Sequence, residues 1–357
     1  MTHIPNTIFL NGNKLSTSDI SVLKFESSAN PSAAEWEKEL YGFLNEWFSD
    51  SNYIMAQTSG STGEPKPIEL SKSFMRCSAE RTIEYFGLNK GSRILLSLPC
   101  RYIAGKMMVV RAIVGQMNLV TVDPACDFEF LADESFDFGA MVPNQVFKLL
   151  EQPLGIGKLE HITNLLVGGS SISSELEAQI GTLSSRVVLT YGMTETASHI
   201  AIRELSGERK SDVYRCLRDI SVSLNKEGCL EIHLPDFNLN LLTSDLAELQ
   251  SPTSFRILGR ADSVIISGGI KYSPELLEKK IAALMRQPFV ISAVPDDKLG
   301  EKIVLVIEGE PFETRDLEKK LSALLSPFEL PKSILFQSTL ESTASGKWKR
   351  DAIKKLL

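Results

Sequence analysis

The stretch Thr58-Ser-Gly-Ser-Thr-Gly-Glu-Pro-Lys66 constrains this chain more than any other. It follows an apolar run, Tyr53-Ile-Met-Ala, and places four hydroxyls (Thr58, Ser59, Ser61, Thr62) within five positions. Gly60 and Gly63 let the backbone take positive φ and turn its N–H groups toward one point. Such a concave set of donors holds an anion, and Lys66 adds a full positive charge. The spacing is not G-x-x-x-x-G-K-[ST]: Lys66 follows Gly63 by three and precedes Pro67. A flexible Ser/Gly linker has a similar composition. It needs neither an apolar strand leading in nor a Pro-Lys-Pro end, so phosphate binding is the favoured reading.

At 357 residues the chain has room for two or three domains of ordinary globular composition. A net charge of −7 argues against nucleic acid or an anionic membrane as the main partner. No apolar run approaches the ~18 residues of a membrane span, and Met1-Thr-His-Ile-Pro-Asn shows no export signal. The five cysteines are scattered and without C-x-x-C, which reads as reduced thiols in a cytoplasmic protein. The four histidines have no metal-ligand spacing.

Residues Ile8-Phe-Leu and Val22-Leu-Lys-Phe each read as a short strand, and Trp36, Leu40, Phe43, Leu44 and Trp47 predict an amphipathic helix over 32–48. Strand and helix patterns then alternate to about residue 190. Short β-branched runs separated by helices indicate a parallel sheet covered on both faces. Ligands in such sheets gather where strands end, which marks three loops: 58–66, 168–171 and 191–196. Past residue 215 the rhythm changes to a hairpin around Asn225-Lys-Glu-Gly228 and further strand. Gly259-Arg-Ala-Asp262 marks a composition break before a compact α+β unit of about a hundred residues. The expected fold is α/β, a large N-terminal domain (1–258) with helix-covered parallel sheets and a small mobile α+β domain (259–357).

Tyr191-Gly-Met-Thr-Glu-Thr196 directly follows the strand Arg186–Thr190. Its ring, glycine turn, hydroxyls and carboxylate suit a base, a phosphate and Mg²⁺. Taken alone, a capped loop with Glu195 in solvent fits as well. Asp245 at a strand end suits ribose hydroxyls, and suits a plain turn equally. The basic Ser345-Gly-Lys-Trp-Lys-Arg350 on its own reads as a solvated helix start.

In this order and spacing, Thr58–Lys66, Gly168-Gly169, Tyr191–Thr196, Asp245, Gly259–Asp262, Gly268-Gly269 and Gly346-Lys347 resemble the adenylate-forming superfamily of acyl-CoA synthetases, luciferases and adenylation domains. The resemblance covers about residues 53–357. Within it, the short length, Tyr191-Gly-Met-Thr-Glu-Thr-Ala-Ser-His199 and Tyr102-Ile-Ala-Gly-Lys-Met-Met are most similar to the o-succinylbenzoate–CoA ligases of menaquinone synthesis.

The resemblance implies an ATP-dependent, AMP-forming acid–thiol ligase whose partners are a small carboxylic acid, ATP and CoA, with Mg²⁺. It implies that Thr58, Ser59, Gly60, Ser61, Thr62 and Gly63, with Lys66, hold the β,γ-phosphates, and that Thr62 and Thr194 contact phosphate oxygens. Gly168, Gly169 and Tyr191 would line the adenine slot, Glu195 would bind Mg²⁺, and Asp245 and Arg260 would take the ribose hydroxyls. Asp262 would be a hinge, Gly268 and Gly269 would lie beside the pantetheine arm, and Lys347 would enter the site for adenylation. A second reading is an adenylating ligase for another aryl or fatty acid, delivering to CoA or a carrier protein. A non-catalytic nucleotide-binding module is disfavoured because Lys66, Glu195, Asp245 and Lys347 are all present.

Two features depart from the pattern. Only 57 residues precede the first loop, so part of the acyl pocket would be formed differently or by a second subunit of a homo-oligomer. Tyr102 stands where many relatives have His, either gating the acyl pocket or as plain core. For a second carboxylate on the acid, Arg101, Lys106 and Arg111 are candidates, none of them assigned to the site.

Overall fold

The computed structural model describes residues 5–57, 66–170, 172–341 and 350–356. Thr58, Ser59, Gly60, Ser61, Thr62, Gly63 and Lys347 lie outside the described residues. By its internal contacts the chain divides into two compact units. One comprises Met1–Gly169 with Gln179–Asp219, the other Ser170–Ala178 with Ile220–Leu357.

The first unit is built on a parallel sheet. Its strands run Arg186–Met193, Ile162–Val167, Phe136–Met141, Arg93–Leu96, Asn118–Thr121 and Thr7–Leu10, each parallel to the next. Antiparallel strands flank it, Asn13–Ser16 at one side and Ser198–Glu204 followed by Tyr214–Cys216 at the other. The central strands are near-continuous apolar runs, with Ile94, Leu95, Leu165, Leu166, Val187 and Val188 all buried. This is the pattern of strands covered on both faces.

The helix expected over 32–48 spans Glu35–Trp47 and buries Leu40, Phe43, Leu44 and Trp47. Val22-Leu-Lys-Phe, read as a strand, lies instead in the helix Thr17–Ala29. The helix wins because Ser16 and Asp19 form a capping box: Ser16 N–H donates to Asp19 Oδ2 at 2.8 Å and Asp19 N–H to Ser16 Oγ at 3.4 Å. A four-residue apolar run carries too little periodicity to decide between the two.

The strand Tyr53–Gln57 does not join the parallel sheet. It pairs antiparallel with Pro67–Ser71, from Tyr53↔Ser71 to Gln57↔Pro67, as a separate two-stranded sheet. The Ser/Thr/Gly stretch therefore connects two antiparallel strands. Ser71 then caps the helix Lys72–Phe86, accepting from Phe74 N–H at 3.1 Å, and Gly87 ends it at φ 62°.

The second unit begins with an antiparallel meander, Ser221–Leu224, Cys229–Leu234, Leu239–Ser251 and Ser254–Arg260. Beyond it Gly300–Glu308 pairs antiparallel with Phe289–Asp296 and parallel with Ser333–Gln337. Ile265, Leu277, Ile281, Ile291, Leu305 and Leu321 form the core under that sheet. No helix among the described residues is long and apolar enough to cross a membrane.

Candidate active site

In the first unit, Val167 and Leu189 are paired on neighbouring parallel strands, so Gly168-Gly169 and Tyr191–Thr196 emerge side by side at the carboxyl end of the sheet. A Cβ at Gly168 would lie 2.2 Å from Thr190 Oγ1, so any side chain there would have to displace the Thr190 hydroxyl. Gly169 holds φ 94°, a conformation side chains rarely adopt. Gly192 has its own constraint: a Cβ would meet Ser198 O at 2.3 Å and His199 Cα at 2.5 Å. The Tyr191 ring lies 5.8 Å from that of Tyr214.

After Met193 the chain makes a single 3-10 turn, Thr194–Thr196, with Thr194 and Thr196 buried and Glu195 half-buried. Thr196 Oγ1 accepts from Met193 N–H at 2.9 Å and lies 2.6 Å from Ser198 O. Ala197 and Ser198 both have positive φ, 51° and 106°. Left-handed backbone at two successive non-glycine residues is strain of about 1–3 kcal/mol each, of the kind that gathers at functional sites. One half-buried carboxylate suits Mg²⁺, which keeps waters and takes substrate phosphates as further ligands. No group of three metal-binding side chains occurs among the described residues.

Behind this turn sits Arg111, on the helix Ile103–Gly115, 1% exposed. Its Nη2 donates to Ser198 Oγ at 3.0 Å and lies 3.4 Å from His199 Nδ1, while its Nε has no partner. No carboxylate pairs with it among the described residues. Burial pulls the guanidinium down to about 9, still protonated at neutral pH. The other two cations weighed for a second carboxylate are already engaged. Arg101 is paired with Glu39 at 2.8 Å, and Lys106 with Glu46 at 3.8 Å and over the Phe43 ring. Tyr102 is 44% exposed beneath the Arg101 guanidinium, so it is not core.

His199 had no role in the sequence reading beyond its place in a motif string. It is buried, and burial followed by the Arg111 charge holds its pKa well below the usual imidazole value. Arg111 only donates, so Nδ1 is the acceptor and the proton sits on Nε2, 3.3 Å from Thr82 Oγ1. A histidine neutral when folded but free to protonate when unfolded destabilises the fold below the unfolded pKa of ~6.5. Acidification from pH 7 to 5 should therefore cost up to ~1.4 kcal/mol per pH unit through this one group. Urea unfolding of wild type and His199→Gln across that range measures it, and the variant should lack this slope.

In the second unit, Asp245 and Arg260 are direct partners across the Leu239–Ser251 and Ser254–Arg260 ladder. Arg260 Nη1 lies 3.4 Å from Asp245 Oδ1, and Nη2 donates to Ser244 Oγ at 2.6 Å. The guanidinium also grips Asp262 with two bonds, at 2.9 and 2.5 Å. Those hydrogen bonds hold the Asp262 carboxyl below the usual carboxylate range. Three predicted residues, Asp245, Arg260 and Asp262, are thus one charged cluster. Gly268 and Gly269, at φ 60° and 80°, form the two-residue turn of a hairpin between Ile265–Ser267 and Ile270–Tyr272. Two successive positive φ values are what such a tight hairpin demands. Lys66 is exposed at the start of Pro67–Ser71.

A parallel α/β sheet with glycine and threonine turns at its carboxyl end, followed by an antiparallel meander, is the architecture of AMP-forming ligases, and the chain belongs to the AMP-binding enzyme family, whose model matches residues 12–224. Among solved structures it is similar to an acyl-CoA synthetase (AMP-forming)/AMP-acid ligase II-like protein from Dyadobacter fermentans. That match is 34% identical, covers 92% of this chain and 97% of the other, and has a TM-score of 0.61. Among curated proteins it is similar to the 2-succinylbenzoate–CoA ligase of Lactococcus lactis, 24% identical over 96% of this chain and 79% of that one. The o-succinylbenzoate coenzyme A synthetase of Bacillus subtilis, solved with ATP and magnesium ion, shares the fold: TM-score 0.71, 20% identity, 95% of this chain and 82% of that one.

Proposed function

We propose that this enzyme activates a carboxylic acid with ATP and transfers the acyl group to CoA, and that the acid is 2-succinylbenzoate. In the first half-reaction a carboxylate oxygen attacks the α-phosphorus, the bond to the β-phosphate oxygen breaks, and pyrophosphate leaves. In the second the CoA thiolate attacks the acyl carbonyl, the bond to the AMP oxygen breaks, and AMP leaves. The first step brings two anions together, so catalysis is mainly positioning and charge neutralisation. No general base is needed for a carboxylate nucleophile.

In this reading Ser59–Gly63 and Lys66 hold the β,γ-phosphates, and Thr194 contacts phosphate oxygens. Gly168, Gly169 and Tyr191 form the adenine slot. Asp245 and Arg260 take the ribose hydroxyls. Mg²⁺, held by Glu195, supplies charge neutralisation on the phosphates when bound. Lys347, a compact charge on a flexible arm, bridges the acid and the α-phosphate. The domain beyond 258 turns about Asp262 between half-reactions, exchanging Lys347 for Gly268-Gly269.

The observation that carries the choice of acid is Arg111. A buried guanidinium with no carboxylate partner among the described residues is costly, and an acid bearing a second carboxylate offers an anion beside Ser198. The names borne by the curated relatives point the same way.

Pyrophosphate exchange into ATP across a panel of acids tests the reading. 2-Succinylbenzoate should give the fastest exchange and, with CoA added, stoichiometric AMP. Faster exchange with a fatty or simple aryl acid would transfer the assignment to another adenylating ligase. Exchange with no acid at all would refute catalysis by this route.

A further inference from the structure

The helix Lys72–Phe86 meets the Ala197–Ser198 turn at two places. Ser78 Oγ donates to Ala197 O at 3.0 Å, and one helical turn further on Thr82 Oγ1 lies 3.3 Å from His199 Nε2. The Thr82 hydroxyl proton is committed to Ser78 O at 3.1 Å, so its oxygen is left to accept from the imidazole. On the other side of the ring, His199 Nδ1 lies 3.4 Å from Arg111 Nη2 and 3.3 Å from Ser198 Oγ. Ser78, Thr82, Arg111 and His199 are each at most 5% exposed. Protein groups rather than bulk water therefore set these directions.

Among the described residues the partners of the Arg111 guanidinium are a hydroxyl, an imidazole and a thioether, Met108 Sδ at 3.6 Å. Burial and the Arg111 charge keep that imidazole unprotonated. Uncharged acceptors fix the guanidinium without neutralising it, whereas a carboxylate in the same place would form the ion pair itself and compete with a bound anion. The imidazole accepts only while its proton is on Nε2. With the proton on Nδ1, two donors would face each other. We infer that Thr82 and His199 are positioning residues for recognition of the acid: the Thr82 oxygen keeps the ring proton on Nε2, and Nδ1 then holds the Arg111 guanidinium in the orientation that receives the second carboxylate. This rests on the role proposed above for Arg111. The relay is set when the chain folds, so the guanidinium has little freedom left to lose when the acid binds.

Thr82→Val removes the acceptor while keeping the shape of the side chain. In pyrophosphate exchange with the full-length enzyme, its KM for 2-succinylbenzoate should rise about 10-fold, the size of one hydrogen bond to a charged group. The kcat and the KM for ATP should be unchanged, and an analogue with a methyl group in place of the second carboxylate should be used as by wild type. Thr82→Ser returns the oxygen and should restore the KM. Nitrogen-15 histidine NMR reads the relay directly: the chain has four histidines, and the His199 signal is the one absent from His199→Gln. The wild-type ring should be the Nε2–H form at pH 7 and should lose that preference in Thr82→Val. A wild-type ring with its proton on Nδ1 overturns the inference, whether or not any variant folds. So does an unchanged KM for the diacid in Thr82→Val, or an equal loss with the diacid and the methyl analogue, which marks a packing role. Arg111→Gln run alongside separates the two ideas. Loss of the diacid there without loss in Thr82→Val sinks the relay alone, whereas an unchanged KM there sinks the reading of Arg111 and the relay with it.

Discussion

Lys347→Ala is expected to lower the adenylation rate by ~10²–10³, the effect of losing one preorganised charge stabiliser, while leaving thioester formation from supplied acyl-AMP nearly intact. The asymmetry follows from the chemistry. Adenylation pushes a carboxylate against the triphosphate, so a cation between them stabilises the transition state more than the ground state. Attack of the thiolate on the mixed anhydride has no such pair of anions to screen at that position. Rapid-quench measurement of acyl-AMP formation, with a separate assay of CoA capture, reads both steps. An equal loss in the two would contradict a lysine that serves one half-reaction and a hinge at Asp262 that withdraws it.

The second large effect is expected at Arg111. Arg111→Gln keeps hydrogen-bond donors toward Ser198 but removes the charge. Losing one member of a buried charge pair costs about 2–5 kcal/mol, so kcat/KM for 2-succinylbenzoate should fall by at least ~30-fold. An analogue that keeps the carboxylate activated with ATP but has a methyl group in place of the second carboxylate should be used equally well by both proteins. Stability should move the other way. The guanidinium is buried without a carboxylate partner among the described residues, so its removal should leave the melting temperature unchanged or raised. A variant that is as stable as wild type yet has lost only the diacid marks a residue retained for recognition. Loss of activity toward both acids together with a lower melting temperature would instead identify Arg111 as a packing residue, and the choice of acid would lose its support.

Much of the fold was legible because its signals are local. The hairpin at Asn225–Gly228 needed only two apolar runs and a turn sequence. Val22–Phe25 was misread because the deciding interaction, the Ser16–Asp19 cap, lies outside the run itself. Pro67–Ser71 was missed for a related reason. Five residues beginning with proline and bearing a glutamate have little strand signal until Tyr53–Gln57 is laid beside them. The Gly268-Gly269 pair was singled out from the sequence, but the hairpin it turns was not, since its strands are three residues each.

The site divides in the same way. Asp245, Arg260 and Asp262 were each named from motif position, and the structure adds that one guanidinium engages both carboxylates. Arg101, Lys106 and Arg111 were indistinguishable as letters within eleven positions of one segment. Charge type and spacing cannot say which of three cations is already neutralised.

What the sequence determined by itself is the reaction class. A Ser/Thr/Gly stretch ending in Lys66, the Thr194-Glu195 turn and a distant Gly346-Lys347 belong to runs short enough to be recognised without knowing what packs on them. Only the tertiary structure decided which cation has no carboxylate partner among the described residues, which histidine is neutral, and how Arg350 is held. These are outcomes of desolvation and of contacts spanning dozens of residues: 62 between Glu39 and Arg101, 72 between Glu278 and Arg350, 87 between Arg111 and Ser198. The energy of a charge depends on what surrounds it once water is gone, and that surrounding exists only after the chain has folded.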